Sequence, residues 1–176
     1  RAQGKSGYFY GTLGSDGKVF GSDGCKDTPE INLTRKTADV LYWMVKQFML
    51  LKAQNRPKAI NPEWEASIMR LADAFVNTWN KYDELGNYVN VETGDIEVYN
   101  STSGAMAVAG LALASQYYDK PEYLTVAEQI GDAYYKNFSL VGFTSGGCAD
   151  ILQNADSETA VAFLTSCNLL YELTRK

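Results

Sequence analysis

The chain has 176 residues, of which 45% are hydrophobic and 21% charged, a balance that supports one well-formed core and gives no sign of a disordered tract. Its net charge of -5 excludes the Lys/Arg surplus with which proteins neutralise nucleic-acid phosphates or anionic membrane surfaces. With no histidine, Ser-His and Cys-His catalysis and His-ligated metal sites are absent, which leaves carboxylates, tyrosines and lysines as acids and bases.

The chain order begins with a long polar segment, YFYGTLGSDGKVFGSDGCKDTPEINL (residues 8–33). Apolar and polar residues alternate on both sides of GSDG, which predicts a short β-hairpin from residues 8–13 and 18–20. The first helix is predicted over residues 37–54, and the short link NRPKAIN leads to a second over 62–82, where Asn61 reads as N-cap and Pro62 as the first helical residue. DELGNYVNVETGDIEVYN follows as a second hairpin around ETGD. A third helix is expected over 103–118, a fourth over 121–138 behind Pro121, and a fifth over 157–174, capped by Asp156 or Ser157.

Short and long connections therefore alternate. Short links make antiparallel helical hairpins, while each long loop precedes the first, third or fifth helix, so the long loops gather at one end. The second and fourth helices are amphipathic, with Trp64, Ile68, Leu71, Phe75 and Trp79 on one stripe. The first, third and fifth are apolar nearly all round, as in SGAMAVAGLALAS and TAVAFLTSCNLL, and read as an inner layer in which Leu41, Leu111 and Leu164 share one core. The expected fold is all-α: one domain over 1–176, a partial α/α toroid of helical hairpins with short β-hairpins in its rim loops. No segment is apolar and long enough to span a bilayer, and a chain that opens on Arg1 reads as a mature or shortened piece of a longer protein.

Cys25, Cys148 and Cys167 form no CxxC pair, and Cys167, within an apolar helix, reads as a small core residue. GSDG lacks the remaining ligands of a calcium loop, so no metal is expected, and no cofactor. Inner-helix N-termini would point unpaired N–H groups into the rim, which suits carboxylates, phosphates or sugar hydroxyls. Aromatic residues in the loops offer ring faces for a pyranose: Tyr8, Tyr10 and Tyr99, with Trp43 near the start of the first helix. Those same rings could instead pack the hairpins onto the helices. Among the rim acids, Asp150 lies between a glycine-rich approach and an apolar anchor, where partial burial would raise its pKa, and Glu158 and Asp156 follow within the first turn of the last helix. Asp156 as an N-cap and Glu158 as a dipole partner are the competing readings.

The alternation of connections, the YVNVETGD hairpin followed by SGAMAVAGLALAS, and GGCADILQNADSETA before the last helix resemble the six-hairpin glycosidase superfamily of (α/α)6 barrels, which includes unsaturated glucuronyl hydrolases. The resemblance implies a bacterial, periplasmic or secreted carbohydrate-active protein, most simply a glycoside hydrolase working on oligosaccharides. Asp150 and Glu158 are the candidate catalytic carboxylates within this chain, others being expected at least partly outside it, with Tyr8, Tyr10, Trp43, Tyr99 and Asp156 as substrate contacts. A carbohydrate-binding or scaffold protein without catalysis, or a lyase or isomerase, stands as the alternative on the same fold. The superfamily has six hairpins and this chain two plus a final helix, so the remaining inner face would be covered by missing helices or by a second copy in a homo-oligomer.

Overall fold

A computed structural model describes residues 2–22, 27–146 and 155–175. The chain is mostly helical, with five α-helices among these residues: α1 (Thr34–Ala53), α2 (Pro62–Tyr82), α3 (Ala105–Tyr118), α4 (Pro121–Asn137) and α5 (Ser157–Thr174). Single 3-10 turns at Pro57–Ala59 and Ser139–Val141 sit in the connections. None of the helices is long and apolar enough to cross a membrane.

The helices form two layers. In the inner one, α3 packs between α1 and α5, and in the outer one α2 and α4 close the hairpins. Helix α3 has the small side chains that such a position needs: Ala105, Ala107, Ala109, Gly110, Ala112 and Ala114 are all buried. At Gly110 the approach of α1 is so close that a Cβ would stand 2.8 Å from Leu41 Cγ and 3.1 Å from the Tyr42 amide nitrogen. Across the other flank, Ser166 of α5 donates to the Ala105 carbonyl at 2.7 Å and accepts from the Ala109 amide at 3.1 Å, which satisfies a hydroxyl that lies fully inside.

The layer ends at α1 and α5, and this corrects the expectation that all three inner helices are buried all round. Leu41 and Leu111 do share the core, but Leu164 is 62% exposed, because α5 buries only the side that faces α3 and α4. Cys167 is likewise exposed on α5 rather than a core residue.

Among the described residues, five short strands join the helices. β1 (Thr12–Leu13) and β2 (Val19–Phe20) form the first hairpin, and β4 (Tyr88–Asn90) pairs with β5 (Ile96–Val98) in the second. A further strand, β3 (Ile31–Leu33), adds to β4 antiparallel, with Leu33 opposite Tyr88, so the loops before α1 and α3 share one three-stranded sheet in the order β3-β4-β5. That shared sheet holds the two long loops at the same end of the molecule.

Candidate functional site

Three inner-helix N-termini are tied to one another at this end, and two of them, those of α1 and α3, have no side-chain cap from the residue that precedes them. Leu33, the residue before α1, has no side chain able to cap; instead the Arg35 amide donates to Ser103 Oγ at 3.0 Å, from the loop that opens α3. The α3 loop is tied in turn to the segment before α5: the Thr102 amide donates to the Ser145 carbonyl at 2.7 Å, and the Ser145 amide donates to Thr102 Oγ1 at 3.0 Å. Gly146 then passes so near α5 that a Cβ there would lie 2.4 Å from Thr159 Oγ1. Only α5 carries its own cap. Asp156 Oδ1 accepts from the Glu158 amide at 2.9 Å, and its other oxygen accepts from the Thr159 hydroxyl.

Arg35 binds this junction electrostatically. Its guanidinium is hydrogen-bonded to Glu158 and stands 3.6 Å from Asp156 Oδ2, so α1 reaches α5 across the start of α3. Both Arg35 and Asp156 are largely shielded, whereas the Glu158 side chain is 71% exposed and presents its carboxylate to solvent at the mouth. Replacing Asp156 by Ala removes the cap and half of this ion-pair network; we expect a loss of about 1 kcal/mol, read as a lower denaturation midpoint with an unchanged denaturant slope.

One turn further along α1, Asp39 faces the same junction. Burial pushes its carboxyl above the usual carboxylate range, the Arg35 guanidinium pulls it back down, and nearby Glu158 adds to the rise. Asp39 also lines a cleft of about 310 Å³ between α1 and the N-terminal segment, together with Phe9, Tyr10, Asn32, Lys36 and Val40. Asn32 is buried in the wall of this cleft: its Nδ2 donates to the Phe9 carbonyl at 2.6 Å, while its Oδ1 has no partner among the described residues. A shielded amide oxygen without a donor is uncommon, because it forfeits its hydrogen bond to water.

The sequence-derived candidates separate under this geometry. Tyr10 lies on the cleft, half-buried, with its hydroxyl donated to Glu92, whose carboxylate holds the phenol above its usual range. Glu158 and Asp156 are at the junction, Asp156 as the N-cap that also pairs with Arg35. Tyr8 is a correction: it is fully buried, edge-on to Phe75 with ring centroids 5.1 Å apart, and its hydroxyl donates to Thr78 at 3.0 Å, so it packs the N-terminal segment onto α2 and cannot touch a ligand. Trp43 is a second correction. It sits in the middle of α1 rather than near its start, 57% exposed and edge-on to Tyr42, about 13 Å along the axis from the helix N-terminus. Tyr99 is exposed but stacks edge-on to Tyr82 at the C-terminal end of α2 and does not line the cleft. Asp150 lies outside the described residues.

Asp39 and Asn32 were not among the residues the sequence singled out. Asp39 is the only acid in a helix of otherwise apolar, basic and neutral polar residues, and a lone carboxylate one turn into such a helix was the available signal. Asn32 carried none, since its environment is created by Phe9, 23 positions away. Comparison of the chain with protein-family models, with curated proteins and with solved structures finds no match.

Proposed function

We propose that the two helical layers are an arc of an α/α toroid and that the chain is carbohydrate-active, a glycoside hydrolase that binds an oligosaccharide at the inner-helix N-termini. The observation that carries this reading is the cleft beside the N-terminus of α1, where the half-buried carboxyl of Asp39 lies with Phe9 and Tyr10. A ligand rich in hydroxyls can hydrogen-bond to that carboxyl, and Tyr10 and Phe9 offer ring surface to its apolar face.

Glycoside hydrolysis needs one carboxyl that keeps its proton to assist the leaving oxygen and one carboxylate that acts as base or nucleophile. In this proposal Asp39 is the acid, its carboxyl biased toward the protonated form by burial, and Glu158, paired with Arg35, is the second carboxyl. Asp156 fixes the start of α5 and hence the position of Glu158. A periplasmic or secreted location belongs to the same proposal.

The test is a panel of plant, bacterial and host oligosaccharides incubated with the intact protein, with new reducing ends measured across pH. Turnover that falls on the alkaline side as Asp39 ionises, and that is lost in Glu158→Gln, supports the assignment. Turnover unchanged in Glu158→Gln removes the catalytic role of that residue. Binding without turnover in the wild type replaces the hydrolase by a carbohydrate-binding protein, and neither binding nor turnover rejects the carbohydrate reading.

A further inference from the structure

The two outer helices end on a second cavity. Trp79, Asp83 and Glu84 line it from the last turn of α2 and the residues just past it, Asn137 and Phe138 line it from the end of α4, and Phe143 completes the wall. Its volume is about 390 Å³, and it shares no lining residue with the Asp39 cleft.

Local sequence brings the two phenyl rings together. The chain leaves α4 through the 3-10 turn Ser139–Val141, reverses at Gly142 with a φ of 77°, and returns the Phe143 amide to the Phe138 carbonyl at 3.1 Å. Glycine adopts that left-handed conformation without strain. Phe143 is 36% exposed and Phe138 half-buried, so both rings can be reached from the cavity. Tyr134, edge-on to Phe138 with ring centroids 6.0 Å apart, supports them from within.

The electrostatics of this cavity have one sign. A helix C-terminus carries a partial negative charge, and two of them flank the same volume. Asp83 and Glu84 add their carboxyls. Glu84 is engaged by the Asn100 amide, whereas Asp83 is exposed and has no ion pair among the described residues. Neither lysine nor arginine lines the cavity: of the basic residues in the same two last turns, Lys81 is paired with Asp95 at 2.7 Å and Lys136 lies outside the wall. A neutral sugar could use the rings and the carboxyls but would gain nothing from the helix ends. A cation gains from the rings, the carboxyls and the helix ends together.

We propose that this cavity binds a small organic cation, an ammonium group on an apolar body, with the charge between Asp83 and the ends of α2 and α4 and the body against Phe138 and Phe143. This inference does not depend on the carbohydrate reading.

Titration calorimetry of the intact protein with choline, and with the uncharged alcohol in which carbon replaces the choline nitrogen, tests it. Choline should bind about tenfold more tightly than the alcohol, and added salt should weaken choline alone. Asp83→Asn removes the charge and keeps a residue type that tolerates the left-handed backbone at this position, where φ is 53°. It should weaken choline by about fivefold or more and leave the alcohol unchanged. Phe143→Leu keeps apolar bulk without a ring and should weaken choline by about threefold, again with little effect on the alcohol. Because both side chains are exposed, each variant should keep the helical circular dichroism of the wild type. Choline that binds no more tightly than the alcohol overturns the proposal, as does choline binding that neither substitution changes. Glucose binding that Asp83→Asn weakens, with no binding of choline, overturns it in favour of a sugar site.

Discussion

For the proposed hydrolase, Asp39→Asn is expected to lower glycoside turnover by about 100- to 10,000-fold, the usual contribution of a positioned acid, while leaving the fold intact. The same substitution should make the protein more stable at neutral pH. Burial lifts the Asp39 carboxyl above the usual carboxylate range in the folded chain, so the cost of ionising it in place outweighs the attraction of Arg35. A raised carboxyl binds its proton more tightly folded than unfolded. Its penalty is therefore absent below about pH 4, grows as pH rises through the folded value, and stays constant above it. Thermal melts of both proteins from pH 3 to pH 8 should coincide at the acid end and separate toward neutrality, with the variant higher. Turnover that survives in Asp39→Asn removes the residue from the chemistry. A variant that melts lower at pH 7 removes the claim that burial dominates its carboxyl. A gain in stability joined to a loss of activity is the mark of a strained functional group, which a merely structural aspartate does not produce.

Gly110→Val should be the most damaging single change to the fold. Even a Cβ at this position meets Leu41 Cγ at 2.8 Å and the Tyr42 amide nitrogen at 3.1 Å, and valine adds two methyl groups that a helix holds in one rotamer. The backbone of α1 must then move away from α3, at a cost of roughly 3 kcal/mol or more. For a chain of this size that lowers the melting temperature by about 10 °C. Calorimetry of the variant is the measurement. The comparison variant is Gly131→Ala on α4, whose Cβ would find its nearest atom, Leu170 Cδ1, at 3.1 Å, at the movable end of a flexible side chain. An equal loss in both variants would show that helix α1 does not depend on close approach at Gly110.

The helices were legible in the sequence to the extent that their ends carry their own punctuation. Asn61 and Pro62 start α2 at the expected residue, with the Asn61 side chain accepting from the Glu63 amide at 2.9 Å, and Asp156 starts α5 in the same way. The start of α1 was placed three residues too late, and β3 was missed, for one physical reason. The groups that complete this region come from elsewhere in the chain: Ser103 caps Arg35, Ser22 Oγ accepts from the Leu33 amide at 2.6 Å, and β4 supplies the ladder for Ile31–Leu33. A pattern read along the chain contains no information about partners 11 to 68 residues distant.

The candidate site was legible in part for a related reason. Residues two apart share a face of a regular strand, so Tyr8 and Tyr10 looked equivalent; β1 covers only Thr12–Leu13, and before it one ring is buried against Phe75 while the other reaches the cleft. Helix composition likewise marks α1, α3 and α5 as apolar without saying how many neighbours each has. Helix α3 has neighbours on both flanks and α1 and α5 do not, which is why Leu111 is enclosed and Leu164 is not.

The borrowed cap at Arg35 bears on how the molecule opens. An amide whose acceptor lies 68 residues away exchanges its hydrogen only when the α1 and α3 ends part company, so its protection reports on assembly rather than on local fraying. Ser145 is tied to Thr102 across 43 residues in the same fashion. The rim thus behaves as a clasp: its first turns gain order together, after the helices have come side by side, and a ligand seated there would tighten all three ends at once.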